Sequence, residues 1–266
     1  METADGPGIW WESAGDPGDD PIVLVHGSMD RSAGLLRLSR RLDDRFHAVR
    51  YDRRGYGRSA PVGPPWTVAA NVDDLDRLVT RSVPDGRPVV LFGHSFGGNV
   101  ALAFASRHPG RVRAVVVYET PLSWFDWWPG STAGAAAMAT PDPGDAAEAF
   151  MRRLVGDAAW ERLPPARQRE RRAEGAAMVE ELGDLRRRAP WDAAAVRVPV
   201  LSLWGEAGRP HHRDAMQLLG DLLPECRSTM VPEAGHAGPH THAEAVARVV
   251  AGFVSSLREP GAAVAG

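Results

Sequence analysis

One short run holds the residue types that nucleophilic chemistry needs. In FGHSFGGNVALAFA, Gly93, Ser95 and Gly97 form G-x-S-x-G between an apolar run and a helical pattern. A serine hydroxyl attacks an acyl carbon only when a base takes its proton, and the oxyanion it creates needs hydrogen-bond donors. The spacing serves both requirements. Glycines two residues to either side leave no Cβ where the chain folds back through a strained strand-to-helix turn. The helix starting there aims its N-terminal N–H groups and positive dipole end at the reacting oxygen, so the Phe96 N–H is one expected oxyanion donor. A second is expected from HGSMD, where an apolar run ends at His26-Gly27: the Ser28 N–H, with Met29 as the alternative. Losing one such donor costs about 3 to 4 kcal/mol of transition-state stabilisation.

Nine histidines compete for the part of base. His236, in VPEAGHAGPH, follows an expected strand over 227–231 and precedes the last helical pattern, which puts an imidazole on a flexible loop near the strand ends. His236, His240 and His242 also read as H-x3-H-x-H. With no paired Cys/His module, and with His240 and His242 at a helix start, no metal is assigned. His94 should point away from Ser95 into packing, and His211 and His212 should start a helix after Pro210, exposed or at a pocket entrance.

Elements must hold these groups in place. Runs rich in β-branched residues at 21–27, 46–52, 88–95, 111–119 and 198–205 read as strands buried on both faces. Helical patterns at 32–42, 68–81, 97–107, 213–223 and 243–257 alternate with them, which predicts an α/β fold with a mostly parallel sheet covered on both sides. The alternation stops between Leu122 and Asp192. That stretch opens with WFDWWPGSTAGAAAMATPDPGD and continues into charged helical runs, so a core over 1–121 and 192–266 and a helical insertion over 122–191, sitting over one edge of the sheet, are expected. Its arginine runs are interleaved with or preceded by acids, as on a solvated helix face.

Composition narrows the partner. The chain has 266 residues, a formal net charge of −3, and 31 basic residues that are all arginine, scattered among 34 acids. No field of one sign points to nucleic acid or an anionic membrane, so a small molecule is the expected partner. Cys226 stands alone and reads as a buried apolar side chain. The acidic N-terminus is unlike a signal peptide, no run approaches transmembrane length, and a cytoplasmic protein is expected; oligomeric state stays open.

HGSMD, YDRRGYGRS from Tyr51, GHSFGG and VPEAGHA, in this order over about 22–257, resemble the capped α/β-hydrolase family that includes esterases and cofactor-free haloperoxidases. The resemblance implies an α/β-hydrolase fold with a helical cap, HGSMD after the third strand, a structural role for Asp52 to Ser59, no cofactor, and Ser95 and His236 as nucleophile and base. It most often implies an acid three residues beyond the glycine that ends the penultimate strand. Here that glycine is Gly205 and the third residue on is Gly208. The other position known in such proteins is the end of the preceding strand, where RVRAVVVYE ends in Glu119. Glu119 is the expected acid, with Glu206, or no acid, as alternatives. A serine in place of an aspartate at the elbow implies acyl transfer on an ester, lactone or thioester. Perhydrolase, C–C hydrolase or lyase action, a biosynthetic thioesterase or cyclase, and a non-catalytic binding protein remain open. Met29, Trp124, Trp128 and Met138 are candidate substrate contacts, although the WFDWW cluster reads equally as packing between insertion and sheet.

Overall fold

The computed structural model describes residues 8–257; residues 1–7, part of the N-terminus read above, lie outside them. Seven strands form one sheet, β1 (Trp11–Ala14), β2 (Asp20–Val25), β3 (Phe46–Tyr51), β4 (Val89–His94), β5 (Val112–Tyr118), β6 (Val200–Gly205) and β7 (Cys226–Val231). Their order is β1-β3-β2-β4-β5-β6-β7. Only β1 runs antiparallel to its neighbour. This short, mostly exposed edge strand lacks the apolar run that marks the inner strands, and it escapes the sequence reading. HGSMD consequently follows the second strand in sequence, not the third.

Side chains alternate across each strand, and both faces of the five inner strands are covered. Val23 and Val25 enter one apolar cluster with α2 (Val68–Ser82), α3 (Phe96–Arg107) and α9 (Pro210–Leu222). Ile22 and Leu24 enter the other, with α1 (Leu36–Ser39) and α11 (Ala243–Ser256). This two-sided burial is why the strands read as unbroken apolar runs. The pattern at 32–42 divides into a 3-10 turn over Ser32–Leu35 and the short α1. Cys226 is half-buried and packs against the first cluster. No helix among the described residues is long and apolar enough to cross a membrane.

Between β5 and β6 stand α4 (Ala133–Met138), α5 (Pro143–Val155), α6 (Asp157–Glu161), α7 (Pro165–Ala173) and α8 (Gly175–Arg187). They build a third apolar cluster around Phe150, Trp160 and Met178, which takes in Met29 and Tyr56 from the loops after β2 and β3. The insertion thus packs on the carboxyl ends of β2 and β3 rather than over a sheet edge. A buried ion pair explains the placement. Glu181 of α8 is 1% exposed, accepts a hydrogen bond from Arg53 Nη1 at 2.8 Å and another from the Tyr56 hydroxyl at 2.6 Å. A lone buried charge is costly, so the two surfaces stay together. The remaining short helix, α10 (Gly238–Thr241), precedes α11.

Removing one member of such a pair leaves the other charged and unpartnered, which costs about 3 to 5 kcal/mol. Glu181→Ala should therefore lower the free energy of unfolding, measured by urea denaturation, by that amount; a loss within about 0.5 kcal/mol, the range of ordinary surface changes, would show that the pair does not hold the insertion down.

Candidate active site

Ser95 stands where β4 meets α3, with φ 52° and ψ −124°. This backbone is unusual for a residue with a side chain, and the surrounding glycines enforce it. A Cβ on Gly97 would lie 2.3 Å from the Val25 carbonyl oxygen, and one on Gly93 would lie 2.4 Å from the Gly98 Cα. The Ser95 N–H donates to the Tyr118 carbonyl at 2.8 Å, which ties the turn to β5. Strain held in place by neighbours is the condition for a strand-to-helix elbow.

The turn after β2 lies against this elbow, since a Cβ on Gly27 would come within 3.0 Å of the Ser95 Cβ. Among the described residues no hydrogen bond occupies the backbone N–H of Ser28 or Met29. Phe96 is the first residue of α3, and its N–H lacks an intrahelical partner by helix geometry. The N–H groups of Ser28 and Phe96 are thus both without a hydrogen-bond partner among the described residues. His26 is wholly buried, and its Nε2 accepts from the Arg53 N–H at 2.9 Å, so its Nδ1 carries the hydrogen and donates to the Gly27 carbonyl at 2.8 Å. Burial, reinforced by the Arg53 charge, lowers its pKa to about 4 and keeps it neutral. Arg53 Nε and Nη2 donate to the carbonyls of His26 and Gly27. Asp52 accepts from the N–H groups of Ser32 and Arg58, so the loop from Asp52 has the structural part expected of it.

Glu119 follows β5 with φ 46° and is fully buried. Its Oε1 accepts from the Gly205 N–H at 3.0 Å, and its Oε2 accepts from His236 Nδ1 at 2.7 Å. Burial by itself would raise its pKa, but imidazole hydrogen bonds outweigh this and hold the carboxyl well below the ordinary range. With Nδ1–H donated to the carboxylate, a neutral His236 has a bare Nε2, the acceptor that a base requires. Its carbonyl accepts from His94 Nε2 at 2.9 Å, and the Tyr118 hydroxyl donates to the Gly235 carbonyl at 2.7 Å. The histidine loop is thereby fixed to the residue next to Ser95 and to the last residue of β5. No hydrogen bond joins the Ser95 hydroxyl to His236; catalytic contacts of this kind commonly tighten only when substrate binds.

Glu206 is exposed, and its carboxylate accepts from the Glu233 N–H at 2.9 Å, with no hydrogen bond to His236. Gly208 explains why the usual acid position is empty, because a Cβ there would lie 2.3 Å from Glu119 Oε1. The carboxylate that has arrived from β5 fills the space a side chain at 208 would need.

The structure adds a residue that sequence reasoning placed at the pocket entrance or in solvent. His212 Nδ1 lies 2.5 Å from Glu119 Oε2, the same oxygen that His236 uses, and its side chain is 13% exposed. Burial first, then repulsion from His236, lowers its pKa to about 4, so His212 is neutral and donates Nδ1–H. Pro210 at the helix start was the available signal, since it puts His212 in the first turn after β6, at the carboxyl end of the sheet. Trp128 stacks on His212 with ring centroids 5.9 Å apart and meets His211 edge-on at 4.9 Å. Trp124 packs edge-on against Trp191 at 5.5 Å, in the sheet-facing cluster. Met29 is buried under the inserted helices. Met138, in contrast, is 38% exposed, its methyl beside Gly183 of α8, and is not brought to Ser95 by any contact described.

His236, His240 and His242 do not converge as one set. Two other sets each bring one donor atom per residue within 4.8 Å of the others: Glu119, His212 and His236, already joined by hydrogen bonds, and Asp30, His94 and His240.

Comparison with known proteins agrees with this architecture. The model of the alpha/beta hydrolase family matches residues 22–249. The pimeloyl-[acyl-carrier protein] methyl ester esterase of Yersinia enterocolitica is 28% identical over 92% of this chain and 96% of its own length. Lipase LipV of Mycobacterium tuberculosis is 35% identical, but the match spans only 57% of this chain and 55% of the lipase. A thermophilic esterase from Thermogutta terrifontis superposes with a TM-score of 0.74 at 24% identity, over 93% of each chain.

Glu119→Gln should lower kcat by up to about 10^4-fold, as loss of a histidine-orienting carboxylate does elsewhere, whereas Glu206→Gln should leave it unchanged; the reverse result on a chromogenic ester would move the acid to Glu206. Gly208→Asp by itself should also inactivate, by crowding a second carboxylate onto Glu119. Combined with Glu119→Gly, it should restore at least about 10-fold of the kcat lost in Glu119→Gly alone, and no recovery would show that position 208 cannot reach His236.

Proposed function

The chain belongs to the alpha/beta hydrolase family, and from that premise we propose that it is a serine hydrolase cleaving an ester, lactone or thioester of a small apolar molecule through an acyl-enzyme. The observation that carries this reading is the 2.7 Å bond from His236 Nδ1 to a fully buried Glu119, on a loop fixed to the residue beside Ser95. The named esterase and lipase relatives support ester cleavage.

In this mechanism His236 Nε2 takes the Ser95 proton as the oxygen attacks the substrate carbonyl carbon. The carbonyl π pair moves to oxygen, and the N–H groups of Ser28 and Phe96 bind the oxyanion. His236 then protonates the leaving alcohol or thiol as the C–O or C–S bond breaks, leaving an acyl group on Ser95. Water repeats the sequence, giving its proton to His236, and releases the acid. Glu119 compensates the imidazolium in both halves and fixes its tautomer. His212 acts through Glu119 as a positioning residue, since its N–H restrains the same carboxylate oxygen. Residues 122–191 act as the cap, and Trp128, on the His211–His212 pair, forms the aromatic wall beside the acid–base pair. Trp124 supports that wall from the core side.

A fluorophosphonate probe should label Ser95 in the folded wild-type protein and should not label Ser95→Ala, which should keep the wild-type Tm while losing p-nitrophenyl ester turnover. Turnover retained by Ser95→Ala, or a label carried on another residue, would reject this reading.

A further inference from the structure

A second cluster lies beside the first, and the donor atoms it turns inward take no part in the acyl transfer proposed above. Among the described residues His94 Nδ1 is buried with no hydrogen-bond partner, and beside it Asp30 Oδ2 and His240 Nε2, also buried from solvent, form an ion pair. A buried polar atom without a partner is rare, and one beside a buried ion pair calls for a cause. Asp30 Oδ2 and His240 Nε2 are 3.2 Å apart. One donor atom from each of the three residues lies within 4.8 Å of the others. His94 supplies the informative detail. Its Nε2 points at the His236 carbonyl, 2.9 Å away, and can only donate there, so Nδ1 has a bare lone pair turned to Asp30 and His240. An imidazole whose far nitrogen donates to a backbone carbonyl is the usual outer-shell arrangement of a metal ligand.

We propose that Asp30, His94 and His240 form a binding site for a divalent transition metal ion, zinc in the first instance, held by two imidazole nitrogens and one carboxylate oxygen. Nitrogen and oxygen donors in this ratio suit zinc with one coordination position left over. A cavity of about 560 Å³ lined by Arg37, Arg40, Arg41, His242 and Glu244 opens onto His240 and supplies the path from solvent. Its arginines slow the approach of a cation, an effect that salt weakens. The ion is structural. Asp30 lies two residues after the expected oxyanion donor Ser28, His94 immediately precedes Ser95, and His240 follows His236 by four residues. One ion would therefore join the three loops that carry donor, nucleophile and base. The site does not depend on Ser95 being the nucleophile.

The test uses the full chain stripped with a chelator, then dialysed against Zn²⁺ or Co²⁺, with bound metal measured by elemental analysis, cobalt coordination by visible absorption, and affinity by competition with a chelating dye. Wild-type protein should bind one ion tightly, with an intense cobalt spectrum. His240→Ala, at a partly exposed position, and the isosteric Asp30→Asn should each keep a folded circular dichroism spectrum and bind it more weakly by at least about 100-fold, the upper end of what loss of an outer-shell partner costs. His212→Ala, which takes a donor from the Glu119 set, should bind it as wild type does. Absence of tight binding in wild type, unchanged binding in His240→Ala, or loss confined to His212→Ala would each overturn the proposal.

Discussion

Glu119 carries its charge where water does not reach. An ionised carboxyl is stable in such a place only when donors surround it, and much of the local structure supplies them. Gly205 gives its N–H from the end of β6, His236 reaches in from the loop after β7, and His212 comes from the first turn of α9. Three elements distant in sequence are thereby brought to one oxygen pair. Gly208 has to be a glycine for the carboxylate to lie there.

Backbone strain collects in the same neighbourhood. Four described residues other than glycine have positive φ, namely Met29, Ser95, Glu119 and Glu233. Three of them stand at the carboxyl ends of β2, β4 and β5, each in a segment that carries a candidate functional group. Each such residue costs about 1 to 3 kcal/mol and persists only where packing leaves no alternative. The elbow meets this condition through backbone-to-backbone contacts at Gly93 and Gly97. Around Glu119 the Gly205 N–H and the two imidazoles do the same.

Arg53 links this region to the inserted helices. Its guanidinium donates to the carbonyls of His26 and Gly27, pairs with Glu181 of α8, and lies over the Phe96 ring at 4.6 Å. Loop, helix start and insertion share one buried cation. The arrangement also shows why a likeness to esterases leaves the acid unassigned: the family fold is common to them all, whereas the side chain that reaches the histidine is a local matter of which strand end has room for a carboxylate.

What the sequence by itself determined is what local chain chemistry determines. Doubly buried strands read as apolar runs, the elbow as glycines around Ser95, and the loop of His236 as a glycine-histidine turn before a helix. Because these patterns arise from backbone sterics and two-sided burial, a few neighbouring residues suffice to show them. Glu119 was legible in part, as a charge ending an apolar run, but its bond to His236 and the contact between its carboxylate and position 208 are visible only in the structure. His212, the exposure of Met138, the seating of the insertion on β2 and β3, and the meeting of Asp30, His94 and His240 were decided by tertiary structure. Each depends on which strand ends become neighbours, and strand order is set by packing among residues far apart in the chain.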